Sequence, residues 1–308
     1  MGDQGAMSES RRIGFVGLGH MGTPMAANLV RGGHDVLGYD IVADRARQFA
    51  QTHGTRTPES LAEVGTHADI VITMLPTGRE VRDALLEAQG GALATNLRRG
   101  AVVVDMSSAE PVGTRMLGRD LVERDVALVD APVSGGVPRA KDGTLAIMIG
   151  GDAAAVAAVK PVLTCMGRHL FEVGSLGCGH AMKALNNFLA GTSYAAVAEA
   201  LVIGRQFGLD PAVMTDVINA STGRSFASEN LIKQHVLSGA FATGFALGLL
   251  AKDVNIAADL AREIGVDAPL GRLVRDLWGE ARDAVGGEQD HSRAWTHWER
   301  RAARPTAD

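Results

Sequence analysis

Lys183 and Asn187 stand four residues apart in Leu176-Gly-Cys-Gly-His-Ala-Met-Lys183-Ala-Leu-Asn-Asn187, which opens the longest apolar-periodic segment of the chain. On a helix that spacing puts both on one face, one turn apart, near the helix start. A lysine can move a proton to or from a reacting oxygen when burial or a neighbouring cation pulls its pKa from about 10.4 toward neutrality. An amide one turn on can orient the lysine or a substrate. The bland alternative is a surface lysine on an amphipathic helix. Apolar neighbours on both sides, and Gly177 and Gly179 just before, favour the buried reading. Met182, Leu185, Leu189, Ala196, Ala200, Ile203 and Phe207 recur at helical spacing and are expected to bury one stripe of a long helix.

Gly17-Leu18-Gly19-His20-Met21-Gly22 matches G-x-G-x-x-G after a predicted strand and before a predicted helix, with Asp40 ending the next strand. Its glycines permit a tight turn, approach of a pyrophosphate to the backbone, and close helix–strand packing. The phosphate charge then rests on the helix N-terminus. Asp40 can bind both ribose hydroxyls and would repel a 2′-phosphate. Ile41 and Val42 offer no cation, so NAD is favoured over NADP unless Arg45 or Arg47 swings in. Asp40 can also act as a helix cap. Met74, Leu75 and Pro76 end one strand and Asp105 to Ser108 another, and in open parallel sheets ligands bind beyond such ends. Ser134-Gly135-Gly136 exposes backbone N–H groups able to cradle a carboxylate. Phe245 opens a further helical run that Lys252 and Asp253 interrupt, either as a solvated edge or as a pair aimed between domains. No histidine or cysteine pattern has metal-ligand spacing, so no metal is expected.

Such residues need a scaffold. Runs at Ile13–Gly17, Asp35–Tyr39, Ile70–Leu75, Ala101–Met106 and Val126–Val129 alternate with helical stretches, implying parallel βαβ units. Leu145–Ile149 and His169–Val173 extend the same sheet around a helix at Ala153–Leu163. After Gly174 only helical periodicity remains, in Ala181–Phe207, Pro211–Ala220, Leu247–Ile264 and Pro269–Val285, with Asp210 and Pro211 as a helix start. The expected fold class is α/β: a doubly wound, Rossmann-type sheet over residues 11–174 and an all-α domain over 175–300, joined by a long interdomain helix at about 180–207.

The 308 residues suit two domains, and 38 glycines suit many close backbone approaches. A net charge of -5 with no clustered basic face argues against nucleic acid and for a small-molecule partner. Two cysteines, Cys165 and Cys178, make no disulfide framework and fit a reducing compartment. Met1–Ser10 lack the features of a secretory signal, and no run reads as long and apolar enough to span a bilayer. The expectation is therefore cytoplasmic, with no membrane partner and a frayed tail from Arg300.

Gly14-Phe-Val-Gly-Leu-Gly-His-Met-Gly-Thr-Pro-Met-Ala, Asp130-Ala-Pro-Val-Ser-Gly-Gly, Gly179-His-Ala-Met-Lys-Ala-Leu-Asn-Asn and Lys252-Asp253, in that order, resemble the β-hydroxyacid dehydrogenases, the group of 3-hydroxyisobutyrate dehydrogenase and tartronate semialdehyde reductase. The likeness runs from about Arg12 to Trp298. It implies that Lys183 is the catalytic lysine with Asn187 as its helical partner, and that Ser134, Gly135 and Gly136 hold the substrate carboxylate. It also implies that Leu75, Pro76 and Ser108 line the nicotinamide side, and that Phe245 and Lys252 serve the cofactor from the second domain with Asp253 beside the substrate. Homodimers or homotetramers through the helical domain are implied as well.

Where the family often has Ser-Thr-Ile-Ser-Pro, this chain has Ser107-Ser-Ala-Glu-Pro111, which keeps the hydroxyl at Ser108. Val137–Leu145 resembles the tartronate semialdehyde reductase version of its segment, whereas Asp40 fits NAD-linked oxidative members. The Ser221–Glu229 loop is expected to close over the substrate, with Arg224 or Ser225 selecting its polar end.

The leading expectation is NAD-dependent oxidation of a short 3-hydroxyacid to its semialdehyde, most simply 3-hydroxyisobutyrate. The alternative is an NADPH-dependent reductase of tartronate, succinic or sulfonate-bearing semialdehydes; a remote one is a non-catalytic NAD-binding scaffold. Imine reductases share the plan but resemble the family with the lysine replaced. 6-Phosphogluconate dehydrogenase has a larger helical domain.

Overall fold

The structure is a computed structural model and describes residues 9–88 and 92–302. The terminal expectations at Met1–Ser10 and Arg300–Asp308 therefore lie largely outside the described residues, although the helix at the C-terminal end continues to Ala302. The chain divides into two compact units, Met1–Lys183 and Ala184–Asp308.

The first unit runs β1 (Arg12–Val16), α1 (Gly22–Arg31), β2 (Asp35–Tyr39), α2 (Ala43–His53), α3 (Leu61–His67), β3 (Ile70–Thr73), α4 (Gly78–Arg82), α5 (Leu93–Asn96), β4 (Val102–Asp105) and α6 (Pro111–Val122). It continues through β5 (Ala127–Asp130), β6 (Val133–Ser134), α7 (Gly136–Asp142), β7 (Leu145–Gly150), α8 (Ala153–Leu163) and β8 (Gly167–Gly174). The strands form one sheet in the order β2-β1-β3-β4-β5-β7-β6, with β8 paired to β7. The first five strands are parallel neighbours. Ile70–Thr73 and Val102–Asp105 are buried along their whole length, as expected of β-branched strands covered on both faces. Phe15, Met25 and Leu29 are fully buried between sheet and helix, and each such side chain stabilises the fold by about 1.5–3 kcal/mol.

An all-parallel extension past β5 does not occur. Val133 and Ser134 pair with Ile147 and Ala146 in antiparallel register, so β7 enters the sheet reversed. Asp130 and Gly150 make the one antiparallel pair between β5 and β7. The short strand β6 carries no periodicity of its own, and that is why alternation along the chain missed the reversal. α8 then returns the chain to β8, parallel to β7. Asp152 caps α8 by accepting from the N–H groups of Ala154 and Ala155.

The helix α9 (Cys178–Phe207) begins in the first unit and continues in the second, followed by α10 (Pro211–Asn219), α11 (Phe226–Asn230), α12 (Leu247–Glu263), α13 (Pro269–Val285) and α14 (Ala294–Ala302). Asp210 caps α10 with Pro211 at its first position. The core of this unit gathers Tyr194, Val197, Ala198, Leu201 and Val202 of α9 with Val254, Trp278 and Trp295. The Trp278 indole donates to the Gly191 carbonyl at 3.2 Å, and the Tyr194 hydroxyl donates to the Ser292 carbonyl at 2.7 Å.

Two expectations for α9 are corrected here. Met182, Leu185, Leu189, Ala196, Ala200, Ile203 and Phe207 form an apolar stripe, but it faces outward: Leu189 is 64% and Phe207 86% exposed. Periodicity identified the helix and its apolar stripe, while the core took the neighbouring face through Tyr194, Ala198 and Leu201. Moreover, α9 is long and apolar enough, by length and composition, to cross a membrane, contrary to the reading that no run is. Half of that apolar window is buried within the protein, where its residues pack in the core just described.

Candidate active site

The glycine-rich turn between β1 and α1 has the geometry its sequence predicts. Gly17 has φ +102°, and a Cβ on Gly22 would stand 1.8 Å from the Gly17 carbonyl oxygen, so the third glycine is fixed by close packing. A Cβ on Gly19 would meet nothing within 4 Å. The backbone there faces open space, as approach of a dinucleotide pyrophosphate requires. His20 is exposed, Met21 half-buried and Leu18 buried.

Asp40 is buried and turned into this turn. Its Oδ2 accepts from the Leu18 N–H at 2.8 Å, its Oδ1 from the Val42 N–H at 2.9 Å, and the Arg45 guanidinium stands 3.5 Å from Oδ1. Asp40 therefore orders both the glycine turn and the approach to α2. Arg47 pairs instead with Asp44.

The ends of β3 and β4 are tied together. The Leu75 N–H donates to the Ser107 hydroxyl at 2.9 Å, the Ser107 N–H to Asp105 Oδ1 at 3.0 Å, and the Thr73 hydroxyl to the same oxygen at 2.9 Å. Ser107, which the sequence offered only as part of the Asp105–Ser108 strand end, is the buried hydroxyl; Ser108 is half-buried beside it, Met74 is half-buried and Pro76 exposed. Ser134 is half-buried, followed by exposed Gly135 and Gly136 with φ +136° and +66°. Lys183, on the first turns of α9, is half-buried.

In the second unit Asn187 and Asp253 are both buried. The Asn187 amide donates to Asp253 Oδ2 at 2.6 Å, and Lys252 Nζ lies 3.7 Å from Asp253 Oδ1. Lys252 and Asp253 are thus not a solvated edge: the Lys252 side chain is 22% exposed and that of Asp253 3%. Asp253 Oδ2 is taken by Asn187, while Oδ1 has the Lys252 ammonium at ion-pair distance and no hydrogen-bond partner among the described residues. Phe245 is half-buried, its ring 5.9 Å from that of His291. Ser225 caps α11 through a reciprocal bond pair with Ser228, and Arg224 stands 3.7 Å from Glu229. Both candidates of the Ser221–Glu229 loop therefore have partners within the loop and its helix. Among the described residues no group of three histidine, cysteine or acidic side chains could hold a metal.

Sequence reasoning also missed a buried polar cluster of Asp105, Thr114, Asp130 and His180. Asp105 and Asp130 were visible only as strand-end residues. Burial pushes the Asp130 carboxyl above its ordinary range, against the lowering effects of His180 and of the N–H groups of His180 and Gly177.

A glycine turn closed by a buried aspartate on a mainly parallel sheet defines a Rossmann-type dinucleotide-binding unit, here followed by a helical unit. Residues 12–174 match the model of the NAD binding domain of 6-phosphogluconate dehydrogenase. Residues 177–298 match that of the NAD-binding domain of NADP-dependent 3-hydroxyisobutyrate dehydrogenase. The chain is 38% identical to 2-(hydroxymethyl)glutarate dehydrogenase of Eubacterium barkeri, over 95% of this chain and 96% of that one. It is 36% identical to 3-hydroxyisobutyrate dehydrogenase of Pseudomonas aeruginosa, over 86% and 90%. The solved Mycobacterium tuberculosis 3-hydroxyisobutyrate dehydrogenase with L-serine superimposes with a TM-score of 0.85 at 32% identity, covering 94% of this chain and 99% of that one. The chain belongs to the β-hydroxyacid dehydrogenase family and is an NAD(P)-dependent oxidoreductase acting on CH–OH groups.

Proposed function

We propose that this enzyme oxidises a 2-substituted 3-hydroxypropionate to its semialdehyde with NAD, using Lys183 as the proton acceptor. The observation that carries the reading is the lysine on the first turns of α9 with Asn187 one turn on, in a family whose relatives are named for hydroxyacids. 3-Hydroxyisobutyrate and 2-(hydroxymethyl)glutarate, the substrates in the relatives' names, share a 3-hydroxypropionate skeleton and differ in the group on the carbon between carboxylate and alcohol.

A bound nicotinamide dinucleotide supplies the hydride acceptor. Gly17, Leu18, Gly19, His20, Met21 and Gly22 would hold its pyrophosphate, and Asp40 its ribose. Met74, Leu75, Pro76 and Ser108 would line the nicotinamide side, and Phe245 and Lys252 are the second unit's candidates for the cofactor. Ser134, Gly135 and Gly136 hold the substrate carboxylate. As the carbinol C–H electron pair leaves as hydride and the C=O bond forms, the Lys183 amine takes the hydroxyl proton; in the reverse direction it returns it. Asn187 orients the reacting groups, and Asp253 fixes Asn187.

NAD is preferred because Asp40 Oδ2, which accepts only from the Leu18 N–H, has a lone pair left for a ribose hydroxyl, and a buried carboxylate repels a 2′-phosphate. Initial rates with 3-hydroxyisobutyrate, 2-(hydroxymethyl)glutarate, glycerate and hydroxyalkyl sulfonates, each with NAD and NADP, test the reading. We expect kcat/KM with NAD to exceed that with NADP by about tenfold, or about 1.4 kcal/mol. A preference for NADP, or turnover of none of these alcohols, overturns it.

The working form is a homodimer or homotetramer in which a second copy covers the outward stripe of α9. Leu189→Glu with Phe207→Glu should shift the molar mass from light scattering toward that of a monomer; an unchanged oligomer refutes this. We place the enzyme in the cytoplasm, where its two free cysteines, Cys165 and Cys178, stay reduced.

A further inference from the structure

The first turn of α9 is anchored to the sheet by side chains that the reaction itself does not use. Asp130, fully buried at the end of β5, accepts from the Gly177 N–H and the His180 N–H, each at 2.7 Å. These are donors that a helix start leaves without intrahelical partners. The backbone approach is tight: a Cβ on Gly179 would stand 2.4 Å from the Met148 carbonyl oxygen, and one on Gly150 2.9 Å from the Gly179 nitrogen.

The His180 side chain, 0% exposed, completes the anchor. Its Nδ1 lies 2.8 Å from the Thr114 hydroxyl of α6 and 3.9 Å from Asp130 Oδ2, and its Nε2 lies 3.7 Å from Asp105 Oδ2 at the end of β4. That last separation is ion-pair range and too long for a hydrogen bond, so Nε2 is a wholly buried polar atom without a hydrogen-bond partner. A buried polar group in that state is costly and needs a physical reason to be there. Around it, Arg115 of α6 donates to the Leu176 carbonyl at 2.9 Å, and its guanidinium lies 3.9 Å from the Cys178 thiol. One ring thus links β4, β5 and α6 to the turn that precedes Lys183.

We propose that His180 is a positioning residue: its ring, wedged between the carboxylates of Asp105 and Asp130 and the Thr114 hydroxyl, sets where the first turn of α9 stands and so where the Lys183 amine is presented. This rests on the reading of Lys183 as the proton acceptor. A misplacement of order 1 Å in such a group costs up to about 100-fold in rate.

The test uses the full-length enzyme with His180→Leu, which fills the space without polar atoms, and His180→Gln, whose amide can accept from Thr114 and donate toward Asp105. For His180→Leu we expect kcat to fall about tenfold to 100-fold. Its pH profile should move, KM for NAD should stay within about twofold, and amide hydrogen exchange over residues 177–184 should accelerate. His180→Gln should recover most of the rate and the protection. Wild-type kcat and pH profile in a folded Leu variant, or a Gln variant no better than Leu, would overturn the proposal. Should the wild type turn over no hydroxyacid, the functional reading fails, and the exchange comparison alone still decides whether His180 holds the turn.

Discussion

Lys183→Ala will lower kcat by about 10³-fold, within the range that a positioned general acid or base contributes, and will leave NAD binding within about twofold of wild type. On the proposed reading the two effects separate because the dinucleotide is held by the glycine turn, Asp40 and residues other than Lys183, while the lysine acts on the proton of the reacting hydroxyl. A loss of 10³ corresponds to about 4 kcal/mol of transition-state stabilisation, more than a bond to ground-state substrate supplies. Lys183→Arg sharpens the point. Arginine keeps a positive charge to hold an oxyanion but stays protonated at any working pH, so it cannot take the hydroxyl proton. It should therefore remain about 10²-fold or more below wild type. Single-turnover rates of NADH formation, with NAD affinity from fluorescence titration, measure both quantities. An alanine variant with near-normal single-turnover rates would remove the lysine from the chemistry; an arginine variant with such rates would reduce its role to charge stabilisation.

Much of the fold could be read from the chain because its signals are local. A strand, a G-x-G-x-x-G turn and an aspartate at the next strand end lie within a few tens of residues, and their geometry is dictated by steric needs at Gly17 and Gly22. The antiparallel entry of β7 was hidden because it depends on the two residues Val133 and Ser134. The outward stripe of α9 was misassigned for a different reason. Helical periodicity reports an apolar face, but only tertiary packing decides whether the core of the same chain or another surface covers it, and here the core chose Tyr194, Ala198 and Leu201. The anchor beneath Lys183 was hidden because Asp105, Thr114, Asp130 and His180 come from separate stretches of the chain, and each alone reads as a strand end, a helix residue or part of the start of the long helix. Conversely, Lys252 and Asp253 were ambiguous from spacing. The 2.6 Å bond from Asn187 to Asp253 resolved them by showing that the carboxylate is buried against the helix that carries the lysine.

Asp253→Leu should destabilise the enzyme by about 3 kcal/mol, because the buried Asn187 amide loses its acceptor and Lys252 loses its counter-ion. Two groups depend on this carboxylate: the Asn187 amide on Oδ2 and the Lys252 ammonium near Oδ1. Lys252 keeps some solvent contact, which moderates the penalty below the upper end of the usual 3–5 kcal/mol range; Asn187 is buried and has no such relief. Asp253→Asn separates structure from function. Its carbonyl oxygen still accepts from the Asn187 amide, so stability should fall by only about 1 kcal/mol, the worth of one weakened hydrogen bond. The countercharge for Lys252 is lost, however, and with it one of the contacts that set the position of the ammonium. On the reading that Lys252 serves cofactor and substrate, KM for NAD should rise and kcat/KM should fall by about tenfold, or about 1.4 kcal/mol. Urea unfolding curves monitored by tryptophan fluorescence, which report on Trp278 and Trp295 in the same core, give the stability term, and initial rates give the kinetic one. A leucine variant as stable as wild type would show that the pair contributes nothing to the fold. An asparagine variant with unchanged kinetics would show that Lys252 does not depend on the charge beside it.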